Sequence, residues 1–428
     1  MSELPMRMNS ETNTLETKKT TKARKKINRI KKTEKSKTRS MWLRNLRVIC
    51  AVLLLSTGSL PARSAAPILP PPPAVAASSY LLMDADTQAV LVEHNIHETL
   101  PPASLTKIMT AFIASVELHD GRISPQDQVP ISVKAWRTPG SRMFVREGTS
   151  VPLDDLLHGI IIQSGNDASV AVAEHIAGSE SAFADMMNQQ AVQLGMTMTQ
   201  YQNSTGLPAE DHYTTAWDLA LLTRALIQRF PEHYAIYSDR SFTFNDIEQP
   251  NRNRLLWRDR TVDGVKTGHT EEAGYCLVAS ALRENMRLIS VVMGTESEEA
   301  RMRESQKLLS YGFRYYETQK LYDAQVPLRT VEIWYGEGDS VELGLTEEVI
   351  ITIPRGAYED VKADLTIERV IEAPIQSGEE LGELRLVLDD ETIYRAPLVA
   401  LAAVEEAGIF TRLGHAAYLF FSSLLSGD

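Results

Sequence analysis

Cysteine is almost absent from this sequence of 428 residues, which contains only Cys50 and Cys276. Cys50 lies in an N-terminal segment that we expect to be removed, so the remaining chain has one cysteine and cannot form an intrachain disulfide. Cys276 stands in the apolar run Tyr-Cys-Leu-Val-Ala, which predicts a buried, small hydrophobic side chain. Metal-ligand spacing is also lacking, because His94 and His97 have no third ligand beside them; we expect no metal ion and no cofactor.

The sequence has no long hydrophobic run near its N-terminus. The apolar run at residues 48–60 has about 13 residues, whereas a membrane-spanning helix needs roughly 20. It follows a basic segment and precedes small residues at 62–66, an order typical of a secretory signal peptide. We therefore interpret residues 1–66 as a basic extension plus a signal peptide, with an uncleaved N-terminal anchor as the alternative. Because Met41 begins a basic segment of normal length for such a signal, we expect translation to start there rather than at Met1.

Acidic residues outnumber basic ones outside the N-terminal segment. Residues 1–47 carry a net charge of +11, and the remaining residues sum to −23. An acidic body argues against nucleic acid as a partner and favours solubility. The signal-like segment predicts export, so we expect a periplasmic protein.

Periodicity then divides the chain. A proline-rich linker at 67–77 precedes a unit at 78–320 that has strand-like segments at both ends and helical spacing between them. This order predicts an α+β fold in which helices pack on one antiparallel sheet. The strand-like segments are 80–83, 89–92, 262–267, 275–281 and 287–293, and the helical ones are 105–116, 154–162, 167–177, 215–226 and 298–311.

The pattern of residue types changes after residue 320. Short β-branched runs punctuated by glycine and proline predict a small all-β domain at 321–404. The last segment, 405–428, has apolar residues on one helical side, which predicts an amphipathic helix. Such a helix either anchors the protein to a membrane surface, which we favour, or docks on the β domain.

Three short motifs occur in order: Ser104-Leu-Thr-Lys107, Ser164-Gly-Asn166 and Lys266-Thr-Gly268. The first opens a predicted helix, the second lies in the turn between two helices, and the third ends a strand that a second strand follows. These are the contexts that the penicillin-interacting serine enzymes require. Each motif alone is weak, and their combination carries the prediction.

The chemistry explains the residue types. Positions i and i+3 share a helix face, so Lys107 can reach the Ser104 hydroxyl. A serine is a poor nucleophile until a base takes its proton, and a lysine is a base only when neutral. Burial and a nearby cation, for which we expect Lys266, both lower a lysine pKa. The backbone N–H at Ser104 could stabilise an oxyanion.

From about residue 78 to its end the chain resembles the low-molecular-mass penicillin-binding proteins, which are serine-type D-alanyl-D-alanine carboxypeptidases. The residues that carry the resemblance are the three motifs with their neighbours, the stretch Asn-Arg-Asn-Arg-Leu-Leu-Trp at 251–257, the triplet Ala-Gly-Tyr at 273–275 and Thr-Ile-Pro-Arg-Gly at 352–356. The terminal helix is similar to the membrane anchor of that family. The resemblance implies a serine β-lactamase/penicillin-binding-like fold, followed by the all-β domain and the helix.

The resemblance also implies the function and the role of each residue. The enzyme would remove the terminal D-alanine from peptidoglycan stem peptides ending in D-Ala-D-Ala, through an acyl-serine intermediate that β-lactam antibiotics trap. It would attach to the outer face of the inner membrane through residues 405–428. Ser104 would attack, Lys107 would take its proton, Ser164 would pass a proton to the leaving amine, and Asn166 would bind the acyl side. The terminal carboxylate and the oxyanion would be held by Arg252, Lys266, Thr267, Gly268 and His269, the last through its backbone N–H.

Two alternatives stay open. A β-lactamase on the same scaffold is disfavoured by Gly165 where class A enzymes have aspartate, by the extra β domain and by the lipid-seeking tail. A non-catalytic peptidoglycan-binding protein is disfavoured because Ser104, Lys107, Ser164 and Lys266 are all present.

Overall fold

The computed structural model of the chain describes residues 69–426, with side chains up to residue 419. The expected signal peptide and start site lie outside these residues. Sixteen strands are present in this range. They are Ser79–Asp84 (β1), Val90–His94 (β2), Gln128–Pro130 (β3), Ser150–Pro152 (β4), Ser241–Phe244 (β5), Ile247–Pro250 (β6), Val262–Thr270 (β7), Gly274–Arg283 (β8), Met286–Thr295 (β9), Tyr316–Tyr322 (β10), Arg329–Glu332 (β11), Ser340–Gly344 (β12), Val349–Pro354 (β13), Lys362–Ile367 (β14), Glu380–Leu388 (β15) and Glu391–Ala400 (β16).

Helices occupy the middle of the chain and its end. Single turns of other helix types lie at Ala103–Leu105, Gly159–Gln163, Ala235–Ser238 and Tyr358–Asp360. The α-helices are Thr106–His119 (α1), Val133–Arg137 (α2), Leu153–His158 (α3), Asn166–Ala177 (α4), Glu180–Gln193 (α5), Ala216–Arg229 (α6), Pro231–Tyr234 (α7), Leu255–Arg258 (α8), Glu298–Tyr315 (α9) and Ile409–Ser426 (α10).

One antiparallel sheet, in the order β2-β1-β9-β8-β7, organises the first unit. Side chains alternate between its two faces, as the period of a strand requires. Leu81 and Met83 join the core beneath α1 and α6, whereas Leu82 joins a second core beneath α9. Because the sheet is buried on both faces, its inner strands are almost continuously apolar. The predicted α+β arrangement, with helices packed on one antiparallel sheet, is confirmed.

Strand β7 forms one edge of this sheet. Its pairing with β8 continues as far as Thr270 opposite Gly274. The triplet beginning at Lys266 therefore lies inside a strand rather than at its end, because the strand is three residues longer than the strand-like segment predicted at 262–267. The edge position leaves one side of its backbone without a neighbouring strand.

The second unit is built from strands, with one short helical turn at Tyr358–Asp360, until the final helix, which confirms the predicted all-β domain. Its main sheet has the order β11-β12-β16-β15-β14, and a separate ribbon pairs β10 with β13. Strand β10 spans Tyr316–Tyr322, so the expected boundary at residue 321 falls inside a strand that already pairs with this domain.

The proline-rich segment expected as a linker lies against α9. The Tyr311 hydroxyl donates a hydrogen bond to the Pro70 carbonyl at 2.9 Å. The Ala76 N–H donates to Glu304 Oε2 at 3.3 Å, and the Glu304 side chain is fully buried. The segment thus belongs to the folded body, because a stiff extended chain can bond through its free carbonyls to a neighbouring helix.

The final helix, α10, contacts the β domain through one side. The backbone N–H of Tyr335 donates to Nδ1 of His415 at 2.9 Å, and the Trp334 ring stacks on Tyr418 with 5.4 Å between the ring centres. Docking of the helix on the β domain was the less favoured of the two expectations. The helix does contact the β domain, but through one side only. No helix of the described residues is both long and apolar enough to cross a membrane.

Cys276 lies in the middle of the main sheet and is fully buried, as its apolar surroundings in the sequence predicted. Burial raises the pKa of its thiol to about 11. The thiolate is therefore a negligible species at neutral pH.

Candidate active site

A short turn presents Ser104 at the start of α1. Ala103 has a φ of +47°, a left-handed conformation that costs a residue with a Cβ roughly 1 kcal/mol. The reversal sends Ala103 and Leu105 into the core, where both are buried, and leaves Ser104 half-buried between them. The nucleophile predicted from the sequence thus stands, partly accessible, on a turn that is anchored in the core on both sides.

The Lys107 amine lies one helical turn from that hydroxyl and is 1% exposed. Its Nζ is 3.1 Å from Ser104 Oγ, 2.6 Å from Asn166 Oδ1 and 2.6 Å from the carbonyl oxygen of Thr205. The Asn166 amide is fixed in this orientation, because its Nδ2 donates to the Pro139 carbonyl at 2.7 Å. Two of the three neighbours of the amine can therefore only accept a hydrogen bond.

The surroundings of Lys107 favour its neutral form. Burial, followed by the positive charge of Arg252, lowers the pKa of Lys107 to about 7. The sequence analysis expected this charge from Lys266, and the cation that lowers the pKa of Lys107 here is Arg252. Lys266 has its own pKa lowered, first by burial and then by Lys107 and Arg252.

Ser164 and Asn166 follow a π-helical turn at Gly159–Gln163, which is wider than a turn of α-helix. Ser164 has a φ of +65°, so the chain reverses there before α4 begins at Asn166. The reversal brings Ser164 Oγ to 2.9 Å from Nζ of Lys266. The two polar residues of the second motif therefore each contact a lysine: Asn166 contacts Lys107 of the first motif, and Ser164 contacts Lys266 of the third.

Strand β7 brings the third motif against the Ser104 turn. Lys266 is 2% and Thr267 6% exposed, and the Lys266 amine also donates to the Thr267 carbonyl at 3.0 Å. A Cβ placed on Gly268 would lie 3.0 Å from the Pro102 carbonyl oxygen and 3.2 Å from Leu105 Cγ. Glycine is the residue that permits this close approach of strand and turn.

His269 and Arg252 complete the set predicted from the sequence. The His269 ring is exposed and packs on Tyr275, with 3.9 Å between ring centres. The role expected for His269, oxyanion binding, therefore involves its backbone N–H and not its ring. The Arg252 Nε donates to the Gln163 carbonyl at 2.9 Å, next to the Ser164 turn. The structure brings all the predicted motif residues to one cleft between α1, the α4 turn and β7.

Asp167, immediately after the second motif, was not singled out from the sequence. Its buried carboxylate accepts hydrogen bonds from the backbone N–H groups of Met143, Phe144 and Val145, at 2.9, 2.9 and 3.2 Å. It therefore fixes the loop that also supplies the Pro139 carbonyl to Asn166. Its adjacency to Asn166 was the only available signal.

Arg301 on α9 was also missed. Its side chain is almost fully buried, and its NH1 donates to the Gly268 carbonyl at 3.1 Å. It adds a positive charge that lowers the pKa of Lys266. In the sequence it stands among charged residues of an amphipathic helix, which resembles a solvated face.

The arrangement is suited to acyl transfer by a serine. It contains a hydroxyl next to an amine of lowered pKa, a second hydroxyl next to a second buried amine, and a concentration of positive charge for an anionic substrate. Among the described residues, no group of three or more His, Cys, Asp or Glu side chains could hold a metal ion.

The comparisons with known proteins agree with this class. Residues 66–297 match the family of D-alanyl-D-alanine carboxypeptidases, and residues 316–406 match the C-terminal domain of penicillin-binding protein 5. The chain belongs to the D-alanyl-D-alanine carboxypeptidase family and is a serine peptidase. This confirms the resemblance from which the fold and the enzyme class were predicted.

Individual relatives cover most of the chain. It is 44% identical to the D-alanyl-D-alanine carboxypeptidase DacC of Escherichia coli strain K12. This alignment of 347 residues covers 79% of this chain and 87% of that protein. It is 41% identical to DacA of the same strain, over 81% of this chain and 88% of that protein. Among solved structures, penicillin-binding protein 5 of Haemophilus influenzae aligns with a TM-score of 0.76 and 42% identity, over 78% of this chain and 99% of that one.

Proposed function

We propose that this enzyme releases the terminal D-alanine from stem peptides of peptidoglycan that end in D-Ala-D-Ala, with Ser104 as the nucleophile and Lys107 as its base. The observation that carries the proposal is the set of three contacts around the Lys107 amine. A neutral amine has two N–H groups and one lone pair. The Asn166 and Thr205 oxygens take both N–H groups, so the lone pair is left for the Ser104 hydroxyl proton.

Acylation then follows from this geometry. Ser104 Oγ attacks the carbonyl carbon between the two D-alanines while its proton moves to Lys107 Nζ. The negative charge that develops on the carbonyl oxygen is held by the backbone N–H groups of Ser104 and His269. The C–N bond breaks, and water later hydrolyses the acyl ester to regenerate the serine.

Ser164 and Lys266 serve the leaving group. The Ser164 hydroxyl is 2.9 Å from the Lys266 amine, so it can pass a proton to the departing nitrogen and recover one from its partner. Lys266, Thr267 and Arg252 hold the terminal carboxylate of the substrate. The buried Lys266 and the exposed Arg252 would place two cations beside the anion and so orient it.

Covalent labelling tests the nucleophile. A fluorescent penicillin should label the wild-type protein, and free D-alanine should appear from a pentapeptide ending in D-Ala-D-Ala. Ser104→Ala should abolish both, while Ser238→Ala, which changes an exposed serine bonded only to the Ala235 carbonyl, should leave both unchanged. Labelling of a folded Ser104→Ala protein would refute the assignment, and rapid turnover of penicillin by the wild type would point to a β-lactamase instead.

We also propose that the chain is exported to the periplasm and that α10 lies on the surface of the inner membrane. The side of α10 that avoids the β domain carries Ile409, Phe410 and Leu413, which are 70%, 88% and 64% exposed. Large apolar side chains left in water on one side of a helix favour an interfacial position.

Vesicle binding tests this proposal. The full chain should co-sediment with vesicles of phosphatidylethanolamine and phosphatidylglycerol. Phe410→Asp should release it, whereas Thr411→Asp, which adds the same charge at the next exposed position, should release it far less. Equal binding of wild type and Phe410→Asp would exclude the helix as the contact.

A further inference from the structure

The loop at residues 203–207 lies directly on α1, although none of its residues belongs to the three motifs. The Thr205 carbonyl accepts a hydrogen bond from Lys107 Nζ at 2.6 Å. The Ser204 carbonyl accepts one from Thr110 Oγ1 at 2.7 Å. The position of this loop therefore decides whether the Lys107 amine finds its second acceptor.

Asn203 holds the loop in shape. Its Oδ1 accepts from the Thr205 N–H, the Thr205 hydroxyl and the Gly206 N–H at 3.1, 2.8 and 2.8 Å. These three donors fix the orientation of the amide, so its Nδ2 is a donor. It donates to the Leu207 carbonyl at 3.0 Å and lies 3.3 Å from Nδ1 of His212.

His212 joins this loop to the residue that precedes the base. It is 7% exposed, and its Nε2 lies 2.9 Å from Oγ1 of the buried Thr106. Its Nδ1 faces two donors, the Asn203 amide and the Gln202 N–H, the latter at 3.3 Å. The ring proton is therefore on Nε2 and is donated to Thr106. Burial lowers the pKa of His212 to about 4, so the ring is neutral at neutral pH.

We propose that His212 is a positioning residue for the reaction. By bonding Thr106 on one side and the Asn203 loop on the other, it keeps the Thr205 carbonyl against Lys107 and thereby directs the lone pair of the amine to Ser104. His212 does not reach the reacting atoms itself, and its effect passes through Thr205 and Lys107. The proposal rests on the function proposed above and adds a residue outside the three motifs.

Stopped-flow acylation by a fluorescent penicillin tests it, with the rate constant measured per labelled site from pH 5 to pH 9. His212→Ala should slow acylation about tenfold or more, because small displacements of a reacting group are costly. Its pH midpoint should rise, since water entering beside Lys107 relieves the desolvation that lowers the lysine pKa. His212→Gln keeps one donor and one acceptor and should recover the rate to within about threefold of wild type.

Two further variants make the result decisive. Thr106→Val removes the same bond from the other side, so the double variant with His212→Ala should be no slower than the slower single variant. His233→Ala removes a partly buried histidine outside this network and should keep the wild-type rate and midpoint. A wild-type rate and midpoint in His212→Ala or Thr106→Val, with only thermal stability lowered, would overturn the proposal. A wild type that is not labelled at all would instead refute the proposed function.

Discussion

Two buried amines, those of Lys107 and Lys266, determine the protonation of this site. Burial lowers the pKa of each, and the positive charge of Lys107 lowers the pKa of Lys266 further. Protons on such a pair are coupled, so the pair is best described as one unit that loses its charge in steps. Lys107 must begin as a free amine and then accept a proton, and its burial beside Arg252 favours that neutral form.

The acylation rate should therefore depend on pH through Lys107. With a pKa of about 7, the amine carries a proton at lower pH and has no lone pair for Ser104. Below the midpoint, the rate of labelling by a fluorescent penicillin should fall about tenfold per pH unit. Above it, the rate should level off.

Labelling kinetics from pH 5 to pH 9 measure this directly. Arg252→Gln removes the charge that lowers the Lys107 pKa, so its midpoint should lie higher than that of the wild type. A profile that is flat between pH 5 and pH 8 would argue against Lys107 as the base.

At the scale of elements, the contact of β7 with the Ser104 turn sets the geometry of the cleft. The strand is an edge of its sheet, and Gly268 is the point at which it approaches the turn most closely. The proposed oxyanion donors stand on opposite sides of this contact, at Ser104 and at His269. Any atom inserted at Gly268 moves these two donors apart.

Gly268→Ala should therefore damage acylation more than folding. Its Cβ would lie 3.0 to 3.3 Å from Pro102, Leu105 and Ala103, so strand and turn must separate by a few tenths of an ångström. We expect acylation to slow about tenfold to a hundredfold and the free energy of unfolding to fall by about 1–2 kcal/mol. Stopped-flow labelling and urea denaturation measure the two effects.

Gly408→Ala is the matched control, because a Cβ at Gly408 meets no atom within 4 Å. It should change neither the acylation rate nor, beyond about 0.5 kcal/mol, the stability. If Gly268→Ala acylates at the rate of this control, the close approach does not matter for the reaction.

The sequence predicted the helices and strands that carry the site residues, but not all of the residues that hold them in position. Helical and strand periods located the segments that carry Ser104, Ser164 and Lys266, although the triplet at Lys266 lies inside its strand and not at the end that the sequence predicted. Asp167 bonds to backbone groups more than twenty residues earlier, and backbone groups leave no pattern in a sequence. Arg301 looked like part of a solvated helix face because its burial depends on a strand that is distant in the chain.

At the scale of the whole molecule, the segment before β1 is part of the body. Its carbonyls at Pro70 and Ala74 accept bonds from Tyr311 and Lys307, and its Ala76 N–H satisfies the buried Glu304. Val75 and Ala77 add apolar contact with the core beneath α9. A segment that composition describes as a spacer thus closes one face of the main sheet.

A chain that begins at residue 78 should therefore be less stable. It loses three hydrogen bonds and the cover over the buried Glu304 carboxylate. We expect the free energy of unfolding to fall by about 3 kcal/mol, at roughly 1 kcal/mol for each bond. The rate constant of penicillin labelling at 20 °C should stay unchanged, because these contacts are made by α9 and not by the motif residues. Thermal unfolding of chains that begin at residue 78 and at residue 67 provides the measurement, and equal melting temperatures would show that the segment is only a spacer.

The position of Cys276 has a practical consequence. Its thiol is fully buried with a pKa of about 11, so maleimides and mild oxidants will find little thiolate to react with. It is also the single cysteine of the sequence after residue 66. In a chain that begins after residue 66, a fluorophore or spin label can therefore be attached at any surface position by adding one cysteine, with the native residue left in place.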